Sequence, residues 1–366
     1  PFITGENSHL DAYYGTGNSF AAACGRLSYF YGWEGPSVAV DTACSSSHSA
    51  LHMACQALRL GECDLAMAAG VKLQLLPEVD EVLHKAGMLA ADGHCKTFDA
   101  AADGYGRGEG CVAFLLKPRS QALAQGDDMR AVIRGSLVRQ DGASSSLSAP
   151  NGEAQRRLLQ RVLARANLKP DDIDYLEWHG TGTRLGDPIE YQSVAAVFTG
   201  RQARDPLWLG SVKTNIGHLE AAAGASGLVK TVLALEKGTI PPHAGLKQLN
   251  PLIDLASIPA AIPRENQPWP RRAAPRRAGV TSYGFAGTLS HVILEQAPHR
   301  TSTDLVADQQ PQLCLFSARS AEALEQIRQQ WIEQPDDGLP LNAVAASLAR
   351  QRDHHPLRLA VVAHDA

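Results

Sequence analysis

Cys44 lies in Asp41-Thr42-Ala43-Cys44-Ser45-Ser46-Ser47, a thiol crowded by small side chains. Small neighbours leave a sulfur accessible, and a helix N-terminus pushes a thiol below its free value of about 8.5, toward the nucleophilic thiolate. His179 opens His179-Gly180-Thr181-Gly182-Thr183, where two glycines permit close approach of backbone to a ligand and two hydroxyls face one turn. His218 closes Lys213-Thr214-Asn215-Ile216-Gly217-His218 and precedes a run of small residues, Ala221 to Gly227, that leaves space beside a ring. A lone histidine is more often structural, and a cysteine is more often a buried, inert core residue. That plain reading is given to Cys24, Cys55, Cys63, Cys95, Cys111 and Cys314. One cysteine and two histidines, each following a strand, instead form a constellation for nucleophilic catalysis.

The elements that must position them are legible in the pattern. Ser37-Val38-Ala39-Val40 is a short apolar run fit for a buried strand. After the turn at Cys44, Leu51, Ala54, Cys55 and Leu58 share a helical face, and Gly61 supplies a left-handed stop. A strand at 65–70 follows. Tyr175 to Trp178 reads as a strand running into His179, with a helix beginning near Pro188. Leu207 to Val212 is another strand, leading to a helix in which Leu228, Thr231, Val232 and Leu235 share a face before Gly238. Strands alternating with helices predict an α/β layered fold with its chemistry at strand ends. Residues 258–275, rich in Pro and Arg, predict an irregular surface excursion, and Val280 to Glu295 returns to strand and turn. A polar linker at 298–312 separates a small α/β unit: strand 313–317, helices 320–333 and 341–352, strand 357–362.

Composition narrows the function classes. The 366 residues are 44% hydrophobic and 20% charged, ordinary for a globular chain. A net charge of -4 leaves no electrostatic footprint for general nucleic-acid binding. Arg271, Arg272, Arg276 and Arg277 are therefore expected in a solvated loop, ahead of a docking patch for an acidic partner. Seven cysteines without CxxC spacing point to neither a disulfide framework nor a zinc site, so a reducing, cytoplasmic setting and no metal are expected. No apolar run reaches membrane-spanning length.

Taken together, Asp41 to Ser47, Asp103-Gly104-Tyr105-Gly106-Arg107-Gly108-Glu109-Gly110, Gln140-Asp141-Gly142, Pro150-Asn151-Gly152, His179 to Thr183, Gly186-Asp187-Pro188-Ile189-Glu190, Lys213 to His218 and Gly284-Phe285-Ala286-Gly287-Thr288 resemble the β-ketoacyl synthases of the thiolase superfamily. The resemblance is specifically to ketosynthase domains of type I modular polyketide synthases, and it spans the whole chain. It implies a thiolase-like α/β/α/β/α layered fold over residues 1–297, then a ketosynthase-to-acyltransferase linker domain over 298–366. Cys44 would accept an acyl chain from a carrier-protein phosphopantetheine thioester. The backbone amides of Cys44 and Phe285 would form the oxyanion hole. His179 and His218, as neutral donors, would stabilise the enolate left by decarboxylation of a malonyl-type extender. Lys213 would support the charge balance, with an ordinary salt-bridged lysine as competitor; Thr181 and Thr183 would hydrogen-bond the pantetheine arm, with turn capping as competitor. Arg107 and Glu109 are expected to pair and hold a loop. No cofactor of the domain's own is implied, since phosphopantetheine arrives on the carrier. Acyl carrier protein domains, an adjacent acyltransferase and a homodimer partner are expected.

Departures from the pattern carry expectations too. Leu289 follows Thr288 where the family usually has Asn, predicting a less ordered active-site loop or a compensating polar group elsewhere. Trp178, bulkier than usual before the histidine, is expected to fill core. Family members carry roughly a hundred or more residues ahead of the cysteine motif, so the first strands and helices are expected to be missing from this stretch. The rival reading is a non-elongating ketosynthase that passes the acyl chain on without condensing it; such domains typically lose the first histidine, and His179 is present. A docking scaffold and a cysteine hydrolase are weaker rivals, because Cys44 and both histidines are intact and no orienting Asn is evident.

Overall fold

The computed structural model describes residues 13–202, 205–270, 273–298, 310–334 and 338–364. The chain divides into two units, Pro1–Pro298 and His299–Ala366.

In the first unit, helix α1 (Phe20–Tyr31) is followed by α2 (Ser46–Leu60), which Gly61 ends in a left-handed conformation at φ 73°. Strands β1 (Ala66–Lys72) and β2 (Gly110–Leu116) form an antiparallel pair. Then come β3 (Ala131–Gln140), α3 (Gly152–Ala166), β4 (Tyr175–Glu177), α4 (Gly186–Phe198), β5 (Leu207–Gly210), α5 (Ala223–Lys237), β6 (Ala260–Ala261), β7 (Arg277–Tyr283) and β8 (Thr288–Gln296). Six strands make a mixed sheet in the order β3-β8-β7-β4-β5-β6, in which β4 runs parallel to β5 and β7 while β8 is antiparallel to both neighbours. Strands β4, β7 and β8 are buried almost throughout, as strands covered on both faces must be. One face buries Leu158, Val162, Trp178, Tyr191 and Phe198 against α3 and α4; the other buries Leu228, Leu235, Val280 and Val292 against α5. Helices α2 and α5 also contact β1, so layers alternate helix, sheet, helix, sheet.

Several expectations are corrected. Ser37 to Val40 forms no strand, with Val38 56% exposed, because no strand of the described residues pairs with it to take its backbone hydrogen bonds. Segment 258–275 is not wholly on the surface: Ile258 and Trp269 are buried, and the Trp269 indole donates to Asp174 at 3.1 Å. Arg276 and Arg277 are likewise no solvated loop. Arg276 donates to the Leu235 carbonyl in the last turn of α5 at 2.9 Å, and Arg277 pairs with Glu295 at 2.7 Å. Arg271 and Arg272 lie outside the described residues, as does most of the linker, 299–309. Cys111 is exposed, since alternate residues of β2 face outward, and Cys24 and Cys63 are half-buried; Cys55, Cys95 and Cys314 are buried.

In the second unit, β9 (Gln312–Ala318) pairs antiparallel with β10 (Leu357–Ala363). Helices α6 (Ala321–Glu333) and α7 (Leu341–Arg350) complete it, around Cys314, Ala345 and Leu348. Among the described residues no helix is long and apolar enough to cross a membrane.

Candidate active site

Cys44 sits in a single 3-10 turn, Ala43–Ser45, just ahead of α2. Ala43 adopts φ 53°, a left-handed conformation that costs a residue with a Cβ about 1–2 kcal/mol. Hydroxyls and a carboxylate hold it there: Asp41 accepts from the Ala43 N–H at 2.9 Å, Ser46 donates to the Ala43 carbonyl at 2.6 Å, and Ser45 donates to the Thr42 carbonyl at 2.8 Å. The crowd of serines thus fastens the turn as well as leaving space. The turn between β7 and β8 closes over it so tightly that a Cβ on Gly284 would lie 2.3 Å from the Thr42 carbonyl oxygen.

His179 leaves the end of β4 on a loop gripped by α4. Glu190 accepts from the N–H groups of His179 and Gly180 at 3.0 and 3.1 Å, and Asp187 accepts from Gly182 at 3.1 Å and Phe98 at 3.0 Å. Burial pushes the Glu190 carboxyl up to about 8 and that of Asp187 up to about 6, the backbone N–H bonds pulling the other way. His218 follows Gly217 in a strand-like pairing with the 106–108 segment: its N–H donates to the Gly106 carbonyl at 2.7 Å, and its own carbonyl accepts from Gly108 at 3.0 Å. No side chain fits at Gly106, where a Cβ would meet the Gly93 carbonyl oxygen at 1.7 Å.

These pieces converge. His218 Nε2 lies 3.2 Å from Cys44 Sγ, and the His179 and His218 rings stand edge to face at 5.6 Å. His179 Nδ1 accepts from the Tyr283 N–H at 3.3 Å, and His218 Nδ1 accepts from the Glu220 N–H at 3.2 Å. Each ring is thereby fixed in the tautomer that carries its hydrogen on Nε2. Burial, and next the charge of Lys213, hold both imidazoles well below their usual pKa, so both are neutral donors at pH 7. Lys213 itself is 3% exposed, and no ion pair of the described residues engages it; Glu177, the first carboxylate acting on it, pairs with Lys230 at 2.8 Å.

The thiol departs from expectation. Burial pushes Cys44 up to about 11, with Lys213 lowering it, Glu220 raising it, and the backbone N–H groups of Phe285 and Cys44 lowering it. Desolvation of an anion at this depth outweighs the helix N-terminus, which begins only at Ser46. The two N–H groups nonetheless face the sulfur.

The chain matches three family descriptions in tandem: the N-terminal domain of β-ketoacyl synthase over 3–122, its C-terminal domain over 130–247, and the ketoacyl-synthetase C-terminal extension over 250–362. It belongs to the β-ketoacyl synthases, as a ketosynthase domain of the polyketide synthase type. An oxazolomycin ketosynthase domain from Streptomyces albus JA3453 superposes with a TM-score of 0.86 at 41% identity, over 95% of this chain and 61% of that one. The ketosynthase from module 6 of the bacillaene synthase of Bacillus subtilis 168 does so at 0.84 and 35%, over 97% and 63%. These neighbours share the thiolase-like fold. Among curated relatives, a phenolphthiocerol/phthiocerol polyketide synthase of Mycobacterium tuberculosis is 45% identical over 97% of this chain and 20% of its own length. The chain spans about a fifth of the length of such relatives.

In the ketosynthase, Arg107 does not pair with Glu109. It bridges Asp80 and Glu220, each at 2.7 Å, while Glu109 accepts from the Gln74 N–H, because partners from other segments lie nearer than a residue two along an extended backbone. Thr183 Oγ1 accepts from the Gly186 N–H at 3.1 Å and from Thr181 at 3.4 Å, which is the geometry of turn capping. Trp178 fills core, edge to face with Phe98 at 4.8 Å. Leu289 is 2% exposed in the same core, and the loop it follows is held by another residue: Gln140 donates to the Ala286 carbonyl at 2.7 Å and accepts from Thr288 at 3.0 Å. Gln140, Asp187 and Glu190 stand in motifs visible in the sequence, yet their individual roles are not. Glu220, whose carboxylate pairs with Lys72 and Arg107 and whose N–H donates to His218 Nδ1, carries no such signal.

Proposed function

We propose that the ketosynthase is a β-ketoacyl synthase of polyketide assembly, and that the convergence of Cys44 Sγ with two Nε2-protonated, neutral imidazoles is the observation that carries the reading. In the first step Cys44 sulfur attacks the acyl thioester of a carrier-bound phosphopantetheine. The N–H groups of Cys44 and Phe285 receive the developing oxyanion, and the thiol proton leaves with the departing pantetheine thiol. The malonyl-type thioester then loses carbon dioxide. His179 and His218 donate from Nε2 to its carbonyl oxygen as the enolate forms. The enolate carbon bonds to the acyl carbon and expels Cys44, which regains a proton from water.

Neither imidazole has to act as a base, which suits rings held neutral by burial and by Lys213. Lys213 supplies fixed positive charge as catalytic support, and Thr181 and Thr183 line the pantetheine approach while capping their turn. No resident cofactor takes part. Acyl carrier protein domains and an adjacent acyltransferase are its partners, and a homodimer its assembly.

The test offers the full chain an acyl thioester and malonyl-carrier and follows both steps by mass spectrometry. Acyl-Cys44 and a β-ketoacyl product are expected, both lost in Cys44→Ala. Acylation without condensation would identify a translocation module, and hydrolysis alone would identify a hydrolase.

A further inference from the structure

The hydrogen bonds of Cys44 lead to a third imidazole that the chemistry above does not use. Ser282 Oγ donates to the Cys44 carbonyl at 2.7 Å. The carbonyl of Ser282 accepts from Ser290 Oγ at 2.6 Å, across a directly paired position of β7 and β8. Ser290 Oγ lies 3.1 Å from His48 Nδ1, and His48 stands on α2 one turn beyond Cys44. The contacts therefore close a ring from the nucleophile through two strands to its own helix.

The three side chains that join it are buried: His48 and Ser282 are 0% exposed and Ser290 1%. Nε2 of His48 meets the Gly224 carbonyl at 3.1 Å, and a Cβ on Gly224 would come within 2.5 Å of the ring, so glycine makes the room. Polar groups at this depth are unfavourable unless paired, and a paired network orders what it joins. Its three contacts require three hydrogens, whereas a neutral ring and one hydroxyl bring two. The ring of contacts thus exists in two proton arrangements, one leaving the Ser282 carbonyl bare and the other the Gly224 carbonyl, which sits in the first turn of α5 where the helix ladder also serves it.

We propose that His48, Ser290 and Ser282 are positioning residues that anchor the Cys44 carbonyl, and through it the aim of Sγ at His218 and of the Cys44 N–H at the acyl oxygen; this rests on the acyl-transfer reading above. The left-handed residue at Ala43 makes such an anchor necessary, because a strained turn relaxes when released.

The test measures, on the full chain, acylation of Cys44 by an acyl N-acetylcysteamine thioester, alkylation of Cys44 by iodoacetamide read by peptide mass spectrometry, and Tm. His48→Leu, Ser290→Ala and Ser282→Ala are each expected to slow acylation about tenfold through kcat with KM little changed. The Ser282→Ala/His48→Leu double variant should be no slower than the worse single, since both break one chain of contacts. His48→Asn, whose amide nitrogen can stand where Nδ1 stands, should recover most of the rate. Variants that melt near the wild-type Tm yet acylate and alkylate at wild-type rates would overturn the proposal, as would losses that multiply in the double variant. Where His48→Leu fails to fold, the two serine variants and their double decide in the same way. A wild type that takes no acyl group, while these variants still slow alkylation, would remove the acyl-transfer reading and leave the anchor standing.

Discussion

At Lys213 an ammonium is held in the interior, where burial lowers its pKa and Glu177 draws it back up. Its charge acts on all three converging groups: it lowers the Cys44 thiol and the His179 and His218 imidazoles. Replacing it with a neutral side chain of similar length therefore moves all three upward together. In Lys213→Met, alkylation of Cys44 at pH 8 is expected to slow by about tenfold, the equivalent of one unit in thiol pKa. Burial already pushes Cys44 up to about 11, and the midpoint of the alkylation profile should lie higher in the variant than in the wild type. A faster thiol in this variant would show that Lys213 does not stabilise the thiolate. Cys44, His179 and His218 are readable as chemistry because glycines and small residues flank them, although only His179 follows a strand: Cys44 lies in a 3-10 turn and His218 follows the short helix Lys213–Ile216 and Gly217. Lys213 is readable only as a neighbour of His218, because its influence comes from burial.

The hairpin of β7 and β8 carries Phe285, whose N–H faces Cys44 and is proposed to receive the oxyanion, and its order rests on Gln140 and Asp141 of the neighbouring strand end. Asp141 N–H donates to the Gly287 carbonyl at 2.8 Å, beside the two bonds of Gln140. Leu289 packs inward with Tyr283 and Ile293 and contributes apolar contact to the core. Leu289→Asn is accordingly expected to lower stability by roughly 2 kcal/mol, the cost of burying an amide without assured partners. Turnover should stay within about threefold of wild type. Urea denaturation and a turnover assay check both; a gain of orders of magnitude in turnover would show that the loop needs the amide. From sequence, the Asn-to-Leu departure predicts either a looser loop or a compensating polar group. The loop is held by Gln140, which stands in one of the family motifs, but its hold on this loop is not legible there, because it sits 146 residues away from the carbonyl it bonds.

Across the whole molecule, buried ionisable groups set a pH profile. His48, His179, His218, His243 and His291 all have pKa values lowered, first of all by burial. Unfolding frees these rings to bind protons near pH 6.5, so the unfolded state gains as pH falls below that point. Asp141, Asp187 and Glu190 are shifted up by burial to about 6, 6 and 8, so the folded state holds their protons and the sign is reversed. Five imidazoles outweigh three carboxyls. Thermal melts are expected to show greatest stability near pH 7 and a steady loss from about pH 6.5 toward 4.5; a flat profile over that range would mean that the rings are charged inside the fold.

The layered α/β class, the turns that carry Cys44, His179 and His218, and the elements of the second unit are all written in the order of the residues, because apolar periodicity, glycine stops and small-residue turns are local signals. The thiol's raised pKa, the choice of Glu220 over Glu109 for Arg107, the absence of a strand at Ser37 to Val40 and the contacts of His48 emerge from the folded chain alone. Those outcomes depend on desolvation and on partners far away in the chain, Ser290 being 242 residues from His48, and neither quantity is a property of neighbouring residues.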